Sequence, residues 1–448
     1  MAQTPQAETI AAIATPQGRG GIGVVRVSGP LCLTIAQRLA KLKPNPRHAT
    51  LCTLADLTGA AIDQGLLLYF PGPHSFTGED TLEFQGHGGP VVMDAVLNAV
   101  LACGVRLAAP GEFSRRAFIN GKLDLSAAEA IADLIDSQSS RAAKLALRTL
   151  QGALADAVNR IAAQLIEIRV FIEASLDFPD EELDPADTDD LTRRIQVLQQ
   201  ELVTVCAQTE QGRILREGIT VVIAGRPNAG KSTLLNALAG KPSAIVTDIP
   251  GTTRDLIRED ILIDGMPVHI VDTAGLRDGA QTVEQIGIDR ALQEAGNADL
   301  ILYLVDDTVG WSDHDTQIRK RLSATVPLIT VFTKIDASGR TQSHDENTLA
   351  LSVIAGQGMQ PLLAAIKNHS GLESGAEGLF LARRRHVVAL EEARQHMAIA
   401  EALCGRHAGL ELVAEELRLA HKALGGITGE FTSEDLLGEI FTTFCIGK

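Results

Sequence analysis

The chain has few aromatic side chains, few cysteines and no long apolar run. Aromatics make up only 3% of its 448 residues, so few side chains are available to stack on nucleic-acid bases. The six cysteines are scattered without metal-ligand spacing, which disfavours a zinc site or a disulfide framework. The N-terminus shows no signal-peptide pattern, and no apolar segment is long enough to cross a bilayer. We therefore expect a cytoplasmic protein with no membrane partner.

The balance of charge is acidic. The formal net charge is −16, with 40 Lys and Arg residues against 56 Asp and Glu residues. A protein that grips nucleic acid over a broad surface needs clustered basic side chains to neutralise phosphates. If RNA is the substrate, we expect a partner protein to supply many of the contacts that bind it.

The pattern of predicted helices and strands changes three times along the sequence and predicts a multidomain fold. Residues 1–118 read as strands mixed with helices, an α/β domain. Residues 119–213 read as helical, with one long amphipathic helix predicted over 150–172. Residues 214–378 alternate strands and helices, which predicts a mostly parallel, doubly wound sheet. Helical texture returns over 379–448, so the second α/β domain is predicted to be inserted into an all-α domain.

Residues 225–232, GRPNAGKS, form the pattern of a P-loop. The motif follows a predicted strand and opens a predicted helix, as phosphate binding by backbone amides requires. In such a loop Lys231 pairs with the β and γ phosphates, and the Ser232 hydroxyl ligates Mg²⁺. This context makes a chance glycine-rich turn a weak alternative.

Two further phosphate-site motifs follow in the expected order. Asp272-Thr-Ala-Gly275 ends an apolar strand, where Asp272 can hold magnesium through a water molecule and the Gly275 amide can sense the γ-phosphate. Between the two motifs, Gly251-Thr-Thr-Arg-Asp255 lies in a loop whose threonine can complete the metal shell when triphosphate binds. Three parts in this order indicate a nucleotide triphosphatase more strongly than any one of them.

Thr333-Lys-Ile-Asp336 resembles the guanine-reading motif Asn-Lys-x-Asp. Asp336 can accept the guanine N1 and N2 hydrogens, which adenine does not present. Thr333 stands where that motif has Asn, so we expect a lower nucleotide affinity. Ser352-Val-Ile354 is likewise an imperfect match to a base-contacting Ser-Ala-Lys, and an ATPase remains an open alternative.

The group that orients the attacking water is not evident from the motifs. Ras-like enzymes place a Gln after Asp-x-x-Gly, but this chain has Leu276 there, which cannot hydrogen-bond to water. Arg254 is either an arginine finger or a surface side chain paired with Asp255, and the sequence leaves both open.

The segments GRPNAGKST, DIPGTTRD and DTAGLR, together with Glu284, resemble the tRNA modification GTPase family known as MnmE or TrmE. The resemblance implies a potassium ion in place of an arginine finger, with ligands from Asn228, Thr247, Ile249 and Thr252. It also implies that Glu284 orients the water through a second water molecule, and that facing G domains activate hydrolysis. Without the resemblance, Glu284 reads as a solvated carboxylate.

When the family's functional residues are matched to this sequence position by position, the resemblance implies a complete GTP and magnesium site. Magnesium is held by Ser232, Thr253 and, through water, Asp272, and the implied catalytic residues are Lys231, Glu284 and Cys445. The implied GTP contacts are Asn228, Ala229, Gly230, Lys231, Ser232, Thr233, Thr247, Asp248, Ile249, Pro250, Gly251, Thr252, Thr253, Asp272, Thr273, Ala274, Gly275, Thr333, Lys334, Asp336, Ser352, Val353 and Ile354.

The two ends of the chain carry the same resemblance. TPQGRGGIGVVRVSGP and SFTGEDTLEFQGHGG resemble the family's first domain, which is similar to folate-binding one-carbon enzymes. Arg26, Glu83 and Lys122 would then contact a 5-formyl- or 5,10-methylene-type tetrahydrofolate. The ending FCIGK implies that Cys445 takes part in the modification and that Lys448 holds the cofactor. An inert tail cysteine is the alternative.

The resemblance implies a homodimer that joins an FAD-dependent partner protein in a heterotetramer. Together they would add an aminomethyl or carboxymethylaminomethyl group at C5 of the wobble uridine of certain tRNAs. Two other classes remain as alternatives. A ribosome-assembly GTPase would carry a basic RNA-binding appendage, and a dynamin-like GTPase would carry a membrane-binding element. Neither feature is evident in the sequence.

Overall fold

The chain divides into two compact units. One comprises Met1–Ala132, Leu150–Val170 and Leu417–Lys448, and the other comprises Asp133–Thr149 and Phe171–Glu416. The computed structural model describes residues 8–177, 185–240, 257–272, 298–322, 326–341, 345, 347–372, 380–405, 409–431, 433–445 and 447.

The first unit contains a sheet in the order β3-β4-β5-β2-β1-β6. Its strands are β1 (Ile10–Ile13), β2 (Gly20–Ser28), β3 (Thr50–Ala55), β4 (Ala61–Phe70), β5 (Thr81–Gly88) and β6 (Arg106–Leu107). The pairs are antiparallel except β1 with β6. Val25 and Val27 of β2 are buried while Arg26 between them is partly exposed, because successive side chains of a strand point to opposite faces.

Short helices cover this sheet and close its core. They are α1 (Cys32–Ile35), which continues as a π-helical turn over Ala36–Ala40, α2 (Pro90–Leu101) and α3 (Glu112–Ile119). Met93 and Val96 of α2 pack with Val25 and Phe84 of the sheet. The C-terminal helix α14 (Glu434–Thr442) packs Leu437 and its neighbours against Leu125 in a separate cluster of the same unit.

Further helices lie over 125–217 and 384–428. They are α4 (Leu125–Asp136), α5 (Ser140–Leu150), α6 (Ala153–Asp177), α7 (Pro185–Glu217), α12 (Arg384–Gly405) and α13 (Leu410–Thr428). The predicted single helix over 150–172 is wrong at its start, because Leu150 ends α5 and α6 begins at Ala153. Gly152 adopts a φ of +96° between them, and this left-handed conformation interrupts a right-handed helix.

The second unit contains a sheet in the order β12-β11-β10-β7-β9-β8. Its strands are β7 (Ile219–Gly225), β8 (Ile257–Ile263), β9 (Met266–Asp272), β10 (Leu300–Asp306), β11 (Leu328–Thr333) and β12 (Thr348–Ala350). All neighbours are parallel except β8 with β9, which confirms the predicted doubly wound sheet. The described helices that lie between these strands or directly after the last one are α8 (Lys231–Ala239), α9 (Asp313–Leu322), α10 (Ile335–Ser338) and α11 (Met359–His369).

The apolar strands of this sheet form its core. Leu300–Val305 of β10 is fully buried, as expected for a central strand covered on both faces. The apolar residues over 349–353 predict a strand there, but β12 ends at Ala350, because Ser352 turns the chain and its hydroxyl accepts a hydrogen bond from the Ala355 amide at 3.1 Å. The predicted fold class, a multidomain chain of α/β and helical parts, is confirmed. Among the described residues, no helix is long and apolar enough to span a membrane.

Candidate functional site

The sequence motifs of the second unit meet at one edge of its sheet. β7, β9, β10 and β11 run parallel and end at Gly225, Asp272, Asp306 and Thr333. Asp272 pairs in register with Ile223 of β7, and Asp306 pairs with Thr333. Because ligands of open α/β sheets bind outside the carboxyl ends of the strands, the fold places the P-loop, the Asp-x-x-Gly aspartate and the base-reading motif around one site.

The backbone of the P-loop requires glycine where the chain leaves β7. Gly225 has a φ of +147°, and a Cβ atom there would lie 2.4 Å from the carbonyl oxygen of Leu304. Asn228 and Gly230 also have positive φ values, +62° and +91°. These turns bring the loop directly into the N-terminus of α8, where backbone N–H groups and the helix dipole favour a bound anion.

Lys231 lies inside the P-loop, with only 8% of its surface exposed. Its Nζ donates hydrogen bonds to the carbonyl oxygens of Gly225 at 2.8 Å and Arg226 at 2.9 Å. Ser232 and Thr233 follow it in the first turn of α8 and are exposed. The ammonium group is thus held at the helix N-terminus, where it can pair with phosphate oxygens.

The base-reading residues lie beside the P-loop. Thr333 is buried and contacts Ala229, whereas Asp336 is exposed at the start of α10. Lys334 has a φ of +58° and donates from Nζ to the Asp306 carboxylate at 2.6 Å. Ser352 is buried, Val353 is partly exposed, and Ile354 is 87% exposed.

The described part of the predicted metal sites offers oxygen ligands. Ser232 supplies an exposed hydroxyl, and Mg²⁺ prefers such hard oxygen donors. The side chain of Asp272 lies outside the described part of the structure. Asn228 supplies an exposed amide at the turn of the P-loop, which suits a large monovalent cation. Within the described ranges, no group of three or more His, Cys, Asp or Glu side chains is arranged around a metal position.

Much of the predicted site lies outside the described residues. This holds for Leu276, for both residues of the possible Arg254–Asp255 pair, and for Thr247, Asp248, Ile249, Pro250, Gly251, Thr252, Thr253, Thr273, Ala274, Gly275, Glu284 and Lys448.

One charged pair at the P-loop was not predicted from the sequence. Arg226 pairs with Asp315 in the first turn of α9. Ser312 and Asp315 have the Ser-x-x-Asp spacing of a capping box, which marks the start of a helix. The spacing gives no indication of the ion pair with Arg226.

The first unit contains a second group of predicted residues. Arg26 of β2 and Glu83 of β5 are direct cross-strand partners, and Arg26 Nε donates to Glu83 Oε1 at 2.8 Å. The Arg26 guanidinium also lies 5.5 Å from the centre of the Phe76 ring and 5.8 Å from that of Phe113. Phe113 is fully buried and Phe76 is partly exposed, so the site offers the Arg26–Glu83 charges and part of the Phe76 ring to a ligand.

Lys122 and Cys445 are exposed in the same unit. A Cβ atom at Gly78, two residues after Phe76, would lie 3.4 Å from Lys122 Cγ, so Lys122 is near the loop that carries that ring. The Gly111 amide donates to the Cys445 carbonyl oxygen at 3.5 Å. A Cβ atom at Gly447 would lie 2.3 Å from the Ile13 carbonyl oxygen, so the C-terminal segment packs closely against β1.

Comparison with known families gives matches over nearly all of the chain. The family model described as GTP-binding protein TrmE N-terminus matches residues 9–122, and that described as MnmE helical domain matches residues 125–445. The chain is 52% identical to tRNA modification GTPase MnmE of Pectobacterium carotovorum subsp. carotovorum, over 98% of this chain and 99% of that protein. It is 50% identical to tRNA modification GTPase MnmE of Nitrosococcus oceani, over 98% and 97% respectively.

Comparison with solved structures gives a weaker match. The G domain of the T. maritima FeoB iron transporter is 24% identical, and the match covers 34% of this chain and 98% of that chain with a TM-score of 0.27. A score this low supports no structural argument.

Proposed function

This chain belongs to the MnmE family, also called TrmE, of tRNA modification GTPases, and we propose that it hydrolyses GTP as part of a tRNA-modifying activity. The observation that carries the proposal is the position of Lys231. Its ammonium group is buried in the P-loop, at the sheet edge where Asp272 and the base-reading residues also lie. A buried lysine at a helix N-terminus suits a phosphate chain and its magnesium ion.

Each part of the nucleotide site has a proposed role. Lys231 pairs with the β and γ phosphates, and Asp336 accepts the guanine N1 and N2 hydrogens. Ser232, Thr253 and Asp272, the last through water, are the proposed magnesium contacts. Magnesium supplies positive charge at the phosphates when bound.

Activation of the water is assigned to residues outside Ras-like motifs. Leu276 cannot orient it, so Glu284 is proposed to do so through a second water molecule. Asn228, Thr247, Ile249 and Thr252 are the proposed potassium contacts, and a bound potassium ion would supply the positive charge that an arginine finger supplies in other GTPases. Hydrolysis is proposed to require two facing G domains.

The tRNA chemistry is assigned to the first unit. Arg26, Glu83, Lys122 and Lys448 are proposed to hold a tetrahydrofolate derivative, and the partly exposed Phe76 ring beside Arg26 supports this. Cys445 is proposed to act in the modification, and its exposure makes its thiol accessible. The reaction is proposed to add an aminomethyl-type group at C5 of the wobble uridine, with an FAD-dependent partner bound to a homodimer of this chain.

We also propose the division into domains that follows from the sequence. A one-carbon domain takes residues 1–118, a helical domain takes 119–213 and 379–448, and a G domain takes 214–378. The two family models support a break near the first boundary, since one ends at residue 122 and the next begins at 125.

The nucleotide part of the proposal is tested by GTP turnover of the purified full chain in KCl and in NaCl. We expect turnover to be clearly faster in KCl, and Lys231→Ala to abolish it in both salts. Equal rates in the two salts would remove the potassium ion from the mechanism. No turnover by the wild type in either salt would remove the GTPase assignment.

The tRNA part is tested by mass analysis of wobble uridine in tRNA from cells that lack the chain. We expect the C5 modification to be lost, to return with the wild-type chain and to remain lost with Cys445→Ser. Unchanged modification in the deletion strain would defeat the assignment. Restoration by Cys445→Ser would show only that this thiol is dispensable.

A further inference from the structure

The P-loop is anchored through the side chain of Arg226 to Asp315, a residue of α9 that lies 89 positions further along the chain. Arg226 Nε donates to Asp315 Oδ1 at 2.9 Å, and Arg226 Nη2 donates to Asp315 Oδ2. Nη2 also donates to the carbonyl oxygen of Gly310 at 3.0 Å. Two parallel N–H···O bonds between a guanidinium and a carboxylate fix the orientation of both groups.

Asp315 is fully buried and receives more donors than Arg226 alone supplies. The Tyr303 hydroxyl donates to Oδ1 at 2.8 Å, and the amide and hydroxyl of Ser312 donate to Oδ2 at 2.9 Å and 2.6 Å. Burial by itself would raise the pKa of this carboxyl, but the hydrogen bonds from Ser312, Tyr303 and Arg226 outweigh it and lower the pKa. Asp315 is therefore a charged and rigidly held support.

The backbone of Arg226 is part of the phosphate site itself. Its carbonyl oxygen accepts a hydrogen bond from Lys231 Nζ at 2.9 Å, beside the bond from the same ammonium group to Gly225. The neighbouring strand contributes too, because Tyr303 precedes Leu304, whose carbonyl oxygen lies against Gly225. A shift of the Arg226 peptide would move an acceptor that holds the Lys231 ammonium group.

We propose that Asp315 is a positioning residue of the nucleotide site, which acts through Arg226 to hold the P-loop and Lys231 in the conformation that accepts phosphate. The Asp315 carboxylate fixes the Arg226 side chain, which fixes the Arg226 carbonyl oxygen, which in turn directs the ammonium group. The inference rests on the proposed GTP site and names a residue outside its motifs.

Loss of the Arg226–Asp315 pair should affect some nucleotide interactions and not others. Lys231 contacts phosphates and not the base, so loosening the anchor should weaken GTP and GDP binding together. The preference for GTP over ATP depends on the base-reading residues and should not change. A general loss of stability would not produce this pattern in protein that remains folded.

The test measures binding of GDP and of a non-hydrolysable GTP analogue, with GTP turnover, for Asp315→Asn, Arg226→Gln, the double variant and Arg226→Lys. Asp315→Asn keeps an oxygen acceptor for the start of α9 while it removes the charge. Arg226→Gln alone leaves a buried carboxylate without its cation, which is costly. The double variant removes both charges together and covers the case in which that single variant does not fold.

We expect Asp315→Asn to raise the Kd of both nucleotides and the KM for GTP about tenfold, or about 1.4 kcal/mol, with a smaller change in kcat. The double variant should be no worse than the more affected single variant, because both changes break one anchor. Arg226→Lys keeps the charge and should recover part of the affinity.

Ser312→Ala is the matched control. It removes a hydrogen bond to the same carboxylate and weakens the cap of α9, but leaves Arg226 paired. We expect it to lower thermal stability while its nucleotide affinity stays within about twofold of the wild type, since it leaves the charge-assisted pair in place.

Two results would overturn the inference. One is folded Asp315→Asn or double-variant protein that binds nucleotide as the wild type does. The other is an equal loss of affinity in Ser312→Ala, which would reduce the effect to general stability. The wild-type protein is measured in the same assay. If the proposed GTPase function is wrong, the wild type neither binds nor hydrolyses GTP; if only the role of Asp315 is wrong, the wild type does both.

Discussion

Thr333 Oγ1 donates a hydrogen bond to the carbonyl oxygen of Ala229 at 2.8 Å. The same hydroxyl lies 3.2 Å from the Val305 carbonyl oxygen, and the residue is only 2% exposed. The first residue of the base-reading motif is therefore tied to the P-loop. The Asn expected in this motif is absent from the sequence, yet a hydrogen bond joins the two loops that are predicted to bind the nucleotide.

Breaking this link should weaken nucleotide binding. In Thr333→Val the side chain keeps its shape but leaves the Ala229 carbonyl oxygen without its donor, which costs about 1–3 kcal/mol when the group is buried. We expect the KM for GTP to rise about tenfold, which corresponds to about 1.4 kcal/mol. Thr333→Ser keeps the hydroxyl and serves as the control. Wild-type KM values in Thr333→Val would show that the link does not position the loops.

Gly225→Ala should destabilise the second unit. The new Cβ atom would lie 2.4 Å from the backbone oxygen of Leu304. The residue also has a φ of +147°, so relief of the clash would require the backbone of β7 or β10 to move. We expect a loss of about 1–3 kcal/mol or more in the free energy of unfolding. The single tryptophan, Trp311, packs against Tyr303 of the same unit, so its fluorescence reports the unfolding.

Gly339→Ala is the matched control for that measurement. Gly339 has a φ of +74°, but a Cβ atom there meets nothing within 4 Å. It should therefore cost only the left-handed backbone penalty of about 1–2 kcal/mol. If the two variants lose equal stability, the close approach of Gly225 to β10 contributes nothing.

Glu112 should make the first unit sensitive to acid. Burial alone would raise the pKa of its carboxyl, but hydrogen bonds from Arg106, the Ala109 amide and Arg116 outweigh burial and lower the pKa to about 2. Because the folded-state pKa is below the unfolded value of 4.5, the stabilisation is complete above pH 4.5. It is lost as pH falls through about 2.

Urea unfolding followed by circular dichroism at several pH values tests this prediction. The shift corresponds to stabilisation on the order of 2–3 kcal/mol. Glu112→Gln should be less stable than the wild type at pH 6, and the difference should shrink as the pH approaches 2. A difference that stays constant across this range would contradict the assignment to this carboxyl.

Glu83→Gln should separate the two proposed activities. The substitution removes the charge that pairs with Arg26 at 2.8 Å and that is proposed to meet a pterin. We expect binding of 5-formyltetrahydrofolate to weaken about tenfold, the scale of one charged hydrogen bond, while GTP turnover is unchanged. Asp63→Asn, which changes a side chain that is hydrogen-bonded to the exposed His87 ring in the same unit, should leave binding unaffected. Equal binding by Glu83→Gln would remove Glu83 from the folate site.

The sequence predicts those features of the fold that repeat over short distances. The apolar run of β10 and the glycines of the P-loop are local patterns, and both are found where expected. The sequence pattern does not indicate β8, because the charged residues Arg258, Glu259 and Asp260 interrupt its apolar residues. Such an interruption is tolerated because β8 lies at the edge of the sheet and pairs on only one side. The link from Thr333 to Ala229 joins residues 104 positions apart. No periodic pattern marks such a long-range contact.

The most direct test of the central claim is calorimetric titration of the wild type and of Lys231→Ala with non-hydrolysable analogues of GTP and ATP in the presence of Mg²⁺. We expect the wild type to bind the GTP analogue well above the ATP analogue, and Lys231→Ala to lose most of that affinity. Equal or tighter binding of the ATP analogue, or full affinity in Lys231→Ala, would contradict a guanine nucleotide site built on this lysine.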